Sequence, residues 1–122
     1  MNKYFFDSCS IIELILGNDN YSKFKDIKIF TTVLNIMEVY YYLLREYDKK
    51  TADFWIKKLD AELINIIKLE IVLEASKFRF DNKKEKLSYI DCVGYITSKK
   101  LNMKFLTGDE KFKNKENVEF VK

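Results

Sequence analysis

Four acids stand where apolar segments of the chain begin or end: Asp7, Glu38, Asp91 and Asp109. Glu38 is the most informative. It interrupts the oily, helix-like run VLNIMEVYYYLL over 33–44, where only Asn35 and the tyrosine hydroxyls offer other polarity. A carboxylate in such surroundings costs roughly several kcal/mol unless a partner or a metal compensates it. Each aspartate alone has an ordinary structural reading: Asp7 as a helix N-cap, Asp91 as a first-turn dipole partner, Asp109 as a turn residue. Taken together with Glu38 they point to an oxygen-lined metal site. Carboxylates crowded within a few ångströms repel one another and hold protons by raised pKa values. One or two Mg²⁺ or Mn²⁺ ions remove that conflict, because all-oxygen ligation favours hard cations. Such ions activate water for attack on a phosphodiester and stabilise the leaving oxygen of an in-line displacement.

What the chain lacks narrows the chemistry further. With no histidine, histidine-ligated zinc and Ser–His or Cys–His nucleophiles are excluded. The three glycines, at 17, 94 and 108, form no phosphate-cradling loop. Cys9 and Cys92 are too few and too far apart for a zinc ribbon or a redox pair, and both read as small buried hydrophobes. The chain is 122 residues long and 48% hydrophobic, which predicts a single domain over 1–122 with a real core. No apolar segment is long enough for a membrane span and no signal peptide opens the chain, so a soluble cytoplasmic protein is expected. The net charge of +3 is mild and permits an anionic partner without demanding one.

The elements that must position the acids follow from pattern. Strands are predicted over 3–6, 28–31, 63–67, 104–106 and 118–121. Helices are predicted from Ser8 or Ser10 to 16, closed by Gly17, and from a Thr32 cap to about 47. Others are expected over 51–59, with Phe54, Trp55 and Leu59 inward, over 69–80 from the spacing of Leu69, Val72, Leu73 and Phe80, and over 89–100. A short helical piece falls at 21–24. Ser88 is the expected cap of the helix over 89–100, and Asn102 its left-handed end. A charged loop spans 81–86 and a turn 108–112. Strands alternating with helices predict an α/β fold: a mostly parallel sheet of five strands with helices on both faces.

In an open parallel sheet the strands end on one edge, and ligands bind there at a switch in strand order. Asp7 follows the first strand and Asp109 lies just past the fourth. Asp91 sits in the first turn of the helix leading into the fourth, and Glu38 in the second turn of the helix after the second. If strands two, one and four are neighbours, the four carboxylates face one pocket. Gly108 gives the backbone freedom for a sharp turn before Asp109. Gly94, one turn after Asp91, costs about 1 kcal/mol against alanine in a helix interior, which a close helix–sheet approach would explain.

At these residues the chain resembles the PIN-domain ribonucleases, most closely the VapC-type toxins of prokaryotic toxin–antitoxin pairs. Four segments carry the resemblance: YFFDSCSIIEL (4–14), NIMEVYYYLL (35–44), LSYIDCVGYITSKKLNMKFLTGDEKF (87–112) and VEFV (118–121). The third is the most specific, with Ser88, Asp91, Thr107, Asp109 and Phe112 in register. The resemblance implies a three-layer α/β/α fold with strand order 3-2-1-4-5. It implies that Asp7, Glu38, Asp91 and Asp109 bind the metal and that Ser8 and Thr107 are polar supports beside them. It also implies Mg²⁺-dependent RNA cleavage, a homodimer and inhibition by a small antitoxin. The family often has threonine after its first aspartate, where Ser8 keeps only the hydroxyl. Alanines are common around its third acid, where this chain has Cys92, Val93 and Tyr95.

Lys83, Lys84 and Lys86, just upstream of Asp91, are candidate phosphate contacts, against the reading of a solvated loop. Tyr40, Tyr41 and Tyr42 point three ways at helical spacing, which favours core, dimer or antitoxin contacts over stacking on RNA bases. Three other functions compete with a nuclease toxin. One is a processing or decay nuclease without an antitoxin. Another is a non-catalytic PIN-like module that binds RNA or a protein, against which the retention of all four acids argues. The third is a haloacid dehalogenase-type phosphatase, which needs an acid two residues after its nucleophile, where Cys9 stands.

Overall fold

A computed structural model describes residues 2–65 and 67–122. Its sheet has five strands, β1 (Tyr4–Phe6), β2 (Ile29–Thr31), β3 (Ala61–Leu63), β4 (Lys104–Thr107) and β5 (Val118–Phe120), in the order β3-β2-β1-β4-β5. Every pairing in it is parallel, with Phe5 opposite Phe30 on one side and Phe105 on the other. The helices are α1 (Ser8–Leu16), α2 (Val33–Glu46), α3 (Lys49–Lys58), α4 (Leu69–Asp81) and α5 (Tyr89–Lys100). The chain thus has the expected order of strands and the expected helices on both faces.

Alternation along the central strands builds two cores. Phe5 and Phe105 face one layer, where they pack with Ile71, Ala75, Tyr95 and Ile96 of α4 and α5. Phe6, Leu106 and Ile29 face the other, with Ile11, Val39, Leu43 and Ala52 of α1 to α3. A period of two in the strand side chains puts adjacent phenylalanines into opposite layers. Gly94 lies where α5 packs tightly on the sheet. A Cβ there would lie 2.8 Å from the Phe5 ring and 3.3 Å from the Phe105 ring, so only glycine lets α5 sit this near.

Several local expectations need correction. The cap of α1 is Asp7, whose carboxylate accepts from Ser10 N, so neither Ser8 nor Ser10 caps it. Asp48 caps α3 through Thr51 N and starts that helix earlier than expected. Ala52, Trp55 and Ile56 pack inward, as does Leu59 just past its end, so Trp55 and Leu59 stand as expected while Phe54 lies exposed against Trp55. The third strand runs over Ala61–Leu63, ahead of the β-branched run that suggested 63–67; pairing of Ala61 with Ile29 fixes its register. Ile66, inside that expected strand, lies outside the described residues. The segment expected as a loop over 81–86 is the end of α4 followed by a 3-10 turn, Lys83–Glu85, that closes on a left-handed Lys86. Cys92 is buried as expected, but Cys9 is exposed. The caps at Thr32 and Ser88 and the left-handed Asn102 stand as expected.

Candidate functional site

Asp7 leaves β1 and enters α1 with both carboxylate oxygens engaged. One accepts from Ser10 N at 2.7 Å and the other from the Thr107 hydroxyl at 2.5 Å. Thr107 Oγ1 in turn accepts from Asp109 N at 3.0 Å, so the end of β4 joins Asp7 to Asp109. Asp109 itself accepts from Lys111 N at 2.9 Å and opens a short 3-10 turn. The ends of the three central strands are laced by further polar contacts: Thr31 Oγ1 donates to Phe6 O at 2.9 Å and Ser10 Oγ to Leu106 O at 3.0 Å.

On the α2 side, Glu38 accepts from the Ser8 hydroxyl at 2.5 Å. Ser8 is buried between α1 and α2 and also accepts from the Asn35 side-chain amide at 3.0 Å. On the α5 side, Ser88 caps the helix through Asp91 N at 3.0 Å, which places Asp91 in the first turn, where a helix N-terminus favours negative charge. The close seat of α5 at Gly94, one turn later, draws that first turn over the sheet edge.

The acids influence one another's protonation through charge and burial. Asp7 is only 2% exposed, and burial holds its carboxyl above the usual range against the pull of the Thr107 and Ser10 hydrogen bonds, with Asp109 adding to the rise. Asp91 is pushed up to about 7, first by burial and then by the negative charge of Asp7, Glu38 and Asp109. Cys9 is pushed up to about 12 by desolvation of its thiol and by all four acids, Asp7 foremost, although the residue as a whole is exposed. The thiol therefore sits inside a shared negative field. The bland and the functional readings of the aspartates are not alternatives: Asp7 and Asp109 cap local structure with some lone pairs and turn charge on one another with the rest.

The donor set is all oxygen apart from the Cys9 thiol, which suits a hard divalent cation. Among the described residues, no three Asp, Glu or Cys side chains stand close enough to bind one ion together directly. The acids nevertheless act on one another through charge, since Asp7, Glu38 and Asp109 each raise Asp91, and a Mg²⁺ ion usually keeps several waters between itself and its outer partners. Gly108 serves space and not turn geometry, since Gly17 alone among the described glycines has a left-handed backbone. A Cβ at 108 would lie 2.5 Å from the Tyr21 hydroxyl and 3.1 Å from Val121 O.

The three candidate lysines are placed differently from one another. Lys86 O accepts from Lys111 Nζ at 3.3 Å, which ties its loop to the turn that Asp109 opens. Lys83 is turned onto the Phe80 ring, 4.7 Å from its centroid, and Lys84 is exposed. Of the tyrosines, Tyr40 packs inward and donates to Asp53 at 2.5 Å, Tyr42 is half-buried and Tyr41 is exposed. Sequence reasoning did not assign Lys111 or Asn35. Asn35 was visible as the one other non-aromatic polar residue in the apolar run, but its buried bond to Ser8 spans 27 residues of chain and leaves no local signature.

A family model for the PIN domain matches residues 4–118. No curated protein matches the chain in sequence. Among solved structures, VapC20 of Mycobacterium tuberculosis, a sarcin–ricin loop cleaving toxin, superposes with a TM-score of 0.79 at 13% identity, covering 98% of this chain and 100% of that one. A toxin–antitoxin complex from Klebsiella pneumoniae matches with a TM-score of 0.73 at 16% identity, over 97% of this chain and 96% of the other. VapBC2 from Rickettsia felis, bound to a DNA fragment from its promoter, also gives 0.73 at 16% identity, over 96% of each chain. At such identities the likeness is one of fold.

Proposed function

The chain belongs to the PIN-domain family, and on that premise we propose that it is a Mg²⁺- or Mn²⁺-dependent endoribonuclease, the toxin of a toxin–antitoxin pair. The observation that carries this reading is the hydrogen-bonded linkage at the carboxyl edge of the parallel sheet, where Thr107 joins Asp7 to Asp109 and Ser8, next to Asp7, holds Glu38, with the charge of all four acids bearing on Cys9 as one negative field. Such a field is unfavourable alone and becomes favourable when a divalent cation enters it.

In this reading Asp7, Glu38, Asp91 and Asp109 hold one or two ions. Thr107 fixes one oxygen of Asp7 and Ser8 one oxygen of Glu38, so each carboxylate presents its remaining lone pairs in one orientation. A bound ion supplies Lewis acidity for an in-line displacement at phosphorus. Lys111 and Lys86, tied together at the rim, are the cations best placed to meet a backbone phosphate; Lys84 contributes charge from the exposed 3-10 turn, and Lys83 is engaged with Phe80. Exposed Met37, Tyr41 and Leu44 run along α2 beside Glu38, an apolar surface of the kind that a protein partner covers, which supports an antitoxin. The exposed apolar residues of α4 support a homodimer in the same way. Among the described residues no helix is long and apolar enough to cross a membrane; the reading takes the chain as a cytoplasmic single-domain protein acting on RNA.

The test is incubation of the purified chain with end-labelled RNA and Mn²⁺. Cleavage is expected, lost in EDTA, regained with excess Mn²⁺ and absent from Asp7→Asn. Cleavage that survives either EDTA or that substitution removes the mechanism.

A further inference from the structure

Along α2, Thr32, Asn35 and Glu38 follow at intervals of three and so share one face of the helix. The first two are each 1% exposed, and Ser8 of α1 is 7% exposed. Their side chains form a chain of hydrogen bonds whose direction can be worked out. Thr32 Oγ1 donates to Asn35 Oδ1 at 2.7 Å, Asn35 Nδ2 donates to Ser8 Oγ at 3.0 Å, and Ser8 Oγ donates to Glu38 Oε1 at 2.5 Å. A hydroxyl has one proton to give, whereas an amide has a donating end and an accepting end. With the donating end of Asn35 aimed at Ser8, the proton of Ser8 is free for Glu38. With the amide reversed, Ser8 would give its proton to Asn35 and Glu38 would lose its donor. The Thr32 hydroxyl completes the first arrangement by donating to Asn35 Oδ1, and the acceptor-only carboxylate of Glu38 favours it by taking the Ser8 proton. The competing acceptor for Ser8, the main-chain oxygen of Asn35, is at 3.4 Å and weak by comparison.

We propose that Asn35 is a positioning residue for Glu38, acting through Ser8: its amide aims the only proton of Ser8 at one oxygen of Glu38 and leaves the other for a divalent cation. The inference rests on the metal-centre reading above and extends it to a residue outside the set of acids. It also accounts for a polar side chain in the oily run of α2. An amide buried beside Val39 and Leu43 is retained because each of its ends has a partner.

The experiment is calorimetric titration of Mn²⁺ into the full chain and its variants, with thermal melts in EDTA alongside. Asn35→Asp keeps the shape but replaces the donor with an acceptor, so Ser8 turns its proton away from Glu38. Asn35→Asp and Asn35→Ala are expected to lower Mn²⁺ affinity by about tenfold to hundredfold, the range for loss of an outer partner of a metal ligand. Ser8→Ala should reproduce that loss. In a Glu38→Gln background, neither Asn35 substitution should lower affinity further, because the two act as one unit. A merely structural Asn35 would lower the melting temperature in EDTA and leave Mn²⁺ affinity within about twofold of the unchanged chain, which overturns the proposal. An equal loss in the Glu38→Gln background overturns it too. Should an Asn35 variant show no cooperative melt, Ser8→Ala, which removes the hydroxyl that joins the amide to Glu38, decides in its place: unchanged affinity there also sinks the idea. If the unchanged chain takes up no Mn²⁺, the metal-centre reading itself fails, an outcome distinct from failure of the variants alone.

Discussion

The carboxyl edge around β1 and β4 and the side built from β3 and α4 are held by different forces. At the carboxyl edge, polar groups fix one another: Asp7 caps α1 and binds Thr107, Ser8 binds Glu38 and Asn35, and Ser88 caps α5 beside Asp91. At the other side β3 pairs with β2 alone, and α4 starts at Lys68 without a side-chain cap. The outer face of α4 is apolar yet open, with Leu69 at 72% and Phe80 at 63% exposed. Directional contacts specify a position to within a fraction of an ångström; packing specifies a volume, and several arrangements fill it. A site that needs fixed carboxylates belongs at the first kind of edge, which carries a cost in stability because its charges repel.

The sharpest way to break that contrast is to remove one charge. Asp7→Asn is expected to abolish RNA cleavage and to weaken Mn²⁺ binding beyond the roughly hundredfold ceiling for an outer partner. The same substitution should raise the melting temperature in EDTA, because burial and Asp109 disfavour the charged form of Asp7. Calorimetry and thermal melts on one preparation check both. A variant that is inactive and also less stable in EDTA would mean that the carboxylate is chiefly structural.

Next in size is a dependence on pH. Asp91 has its carboxyl raised from the ordinary 3.8 to about 7, and that of Asp7 is raised as well. A folded-state pKa above the unfolded one means that the native chain holds the extra proton. The associated stability is fully present below the unfolded value and is lost as pH rises through the folded one. In EDTA, the chain should therefore lose stability between about pH 5 and pH 8, by at most roughly 3 kcal/mol for Asp91. Urea melts at these two pH values measure the loss, and Asp91→Asn should flatten it. Excess Mn²⁺ at pH 8 should reverse it, by about 2.7 kcal/mol at a hundred times Kd.

The scaffold under the acids gives a smaller effect. Gly94→Ala places a methyl group 2.8 Å from the Phe5 ring, and overpacking of this kind costs about 1–3 kcal/mol. A fall in the urea midpoint with an unchanged slope is the expected result. Any outward shift of α5 also carries Asp91 away from Asp7, so Mn²⁺ affinity should fall with it. Equal stability with unchanged affinity would show that the α5–sheet contact yields easily and does not position the acid.

The same contrast explains how much could be read without coordinates. The first and fourth strands, the caps at Thr32 and Ser88, and the left-handed Asn102 follow from local rules, since each is decided by residues a few positions apart. The four acids were legible because charge at the borders of oily segments is costly and needs a reason. Whether strands two, one and four are neighbours was not legible from the residues, and resemblance to a family supplied it. The third strand was misplaced because its register comes from Ile29, some thirty residues away, and not from its own β-propensity. Exposure of Cys9 was missed because it depends on how α1 meets the sheet edge, and the part of Asn35 because its partner lies on another helix.

The outer stripe of α4 is where the two regions should differ most quietly. Leu69, Val72, Leu73 and Phe80 have the spacing that announced a helix, yet the residues that pack inward are Ile71, Ala75 and Phe78. Both sets recur at three and four residues, so periodicity alone does not say which one faces the core. Leu73, 60% exposed, contributes little to the isolated chain, and Leu73→Ser is expected to change its stability by no more than about 0.5 kcal/mol in urea melts at low protein concentration. A loss well above that, growing with protein concentration and accompanied by a smaller sedimentation coefficient, would mean that a second copy covers this face in solution. The α4 side would then be an interface, specified by a partner in the way that the carboxyl edge is specified by its own hydrogen bonds.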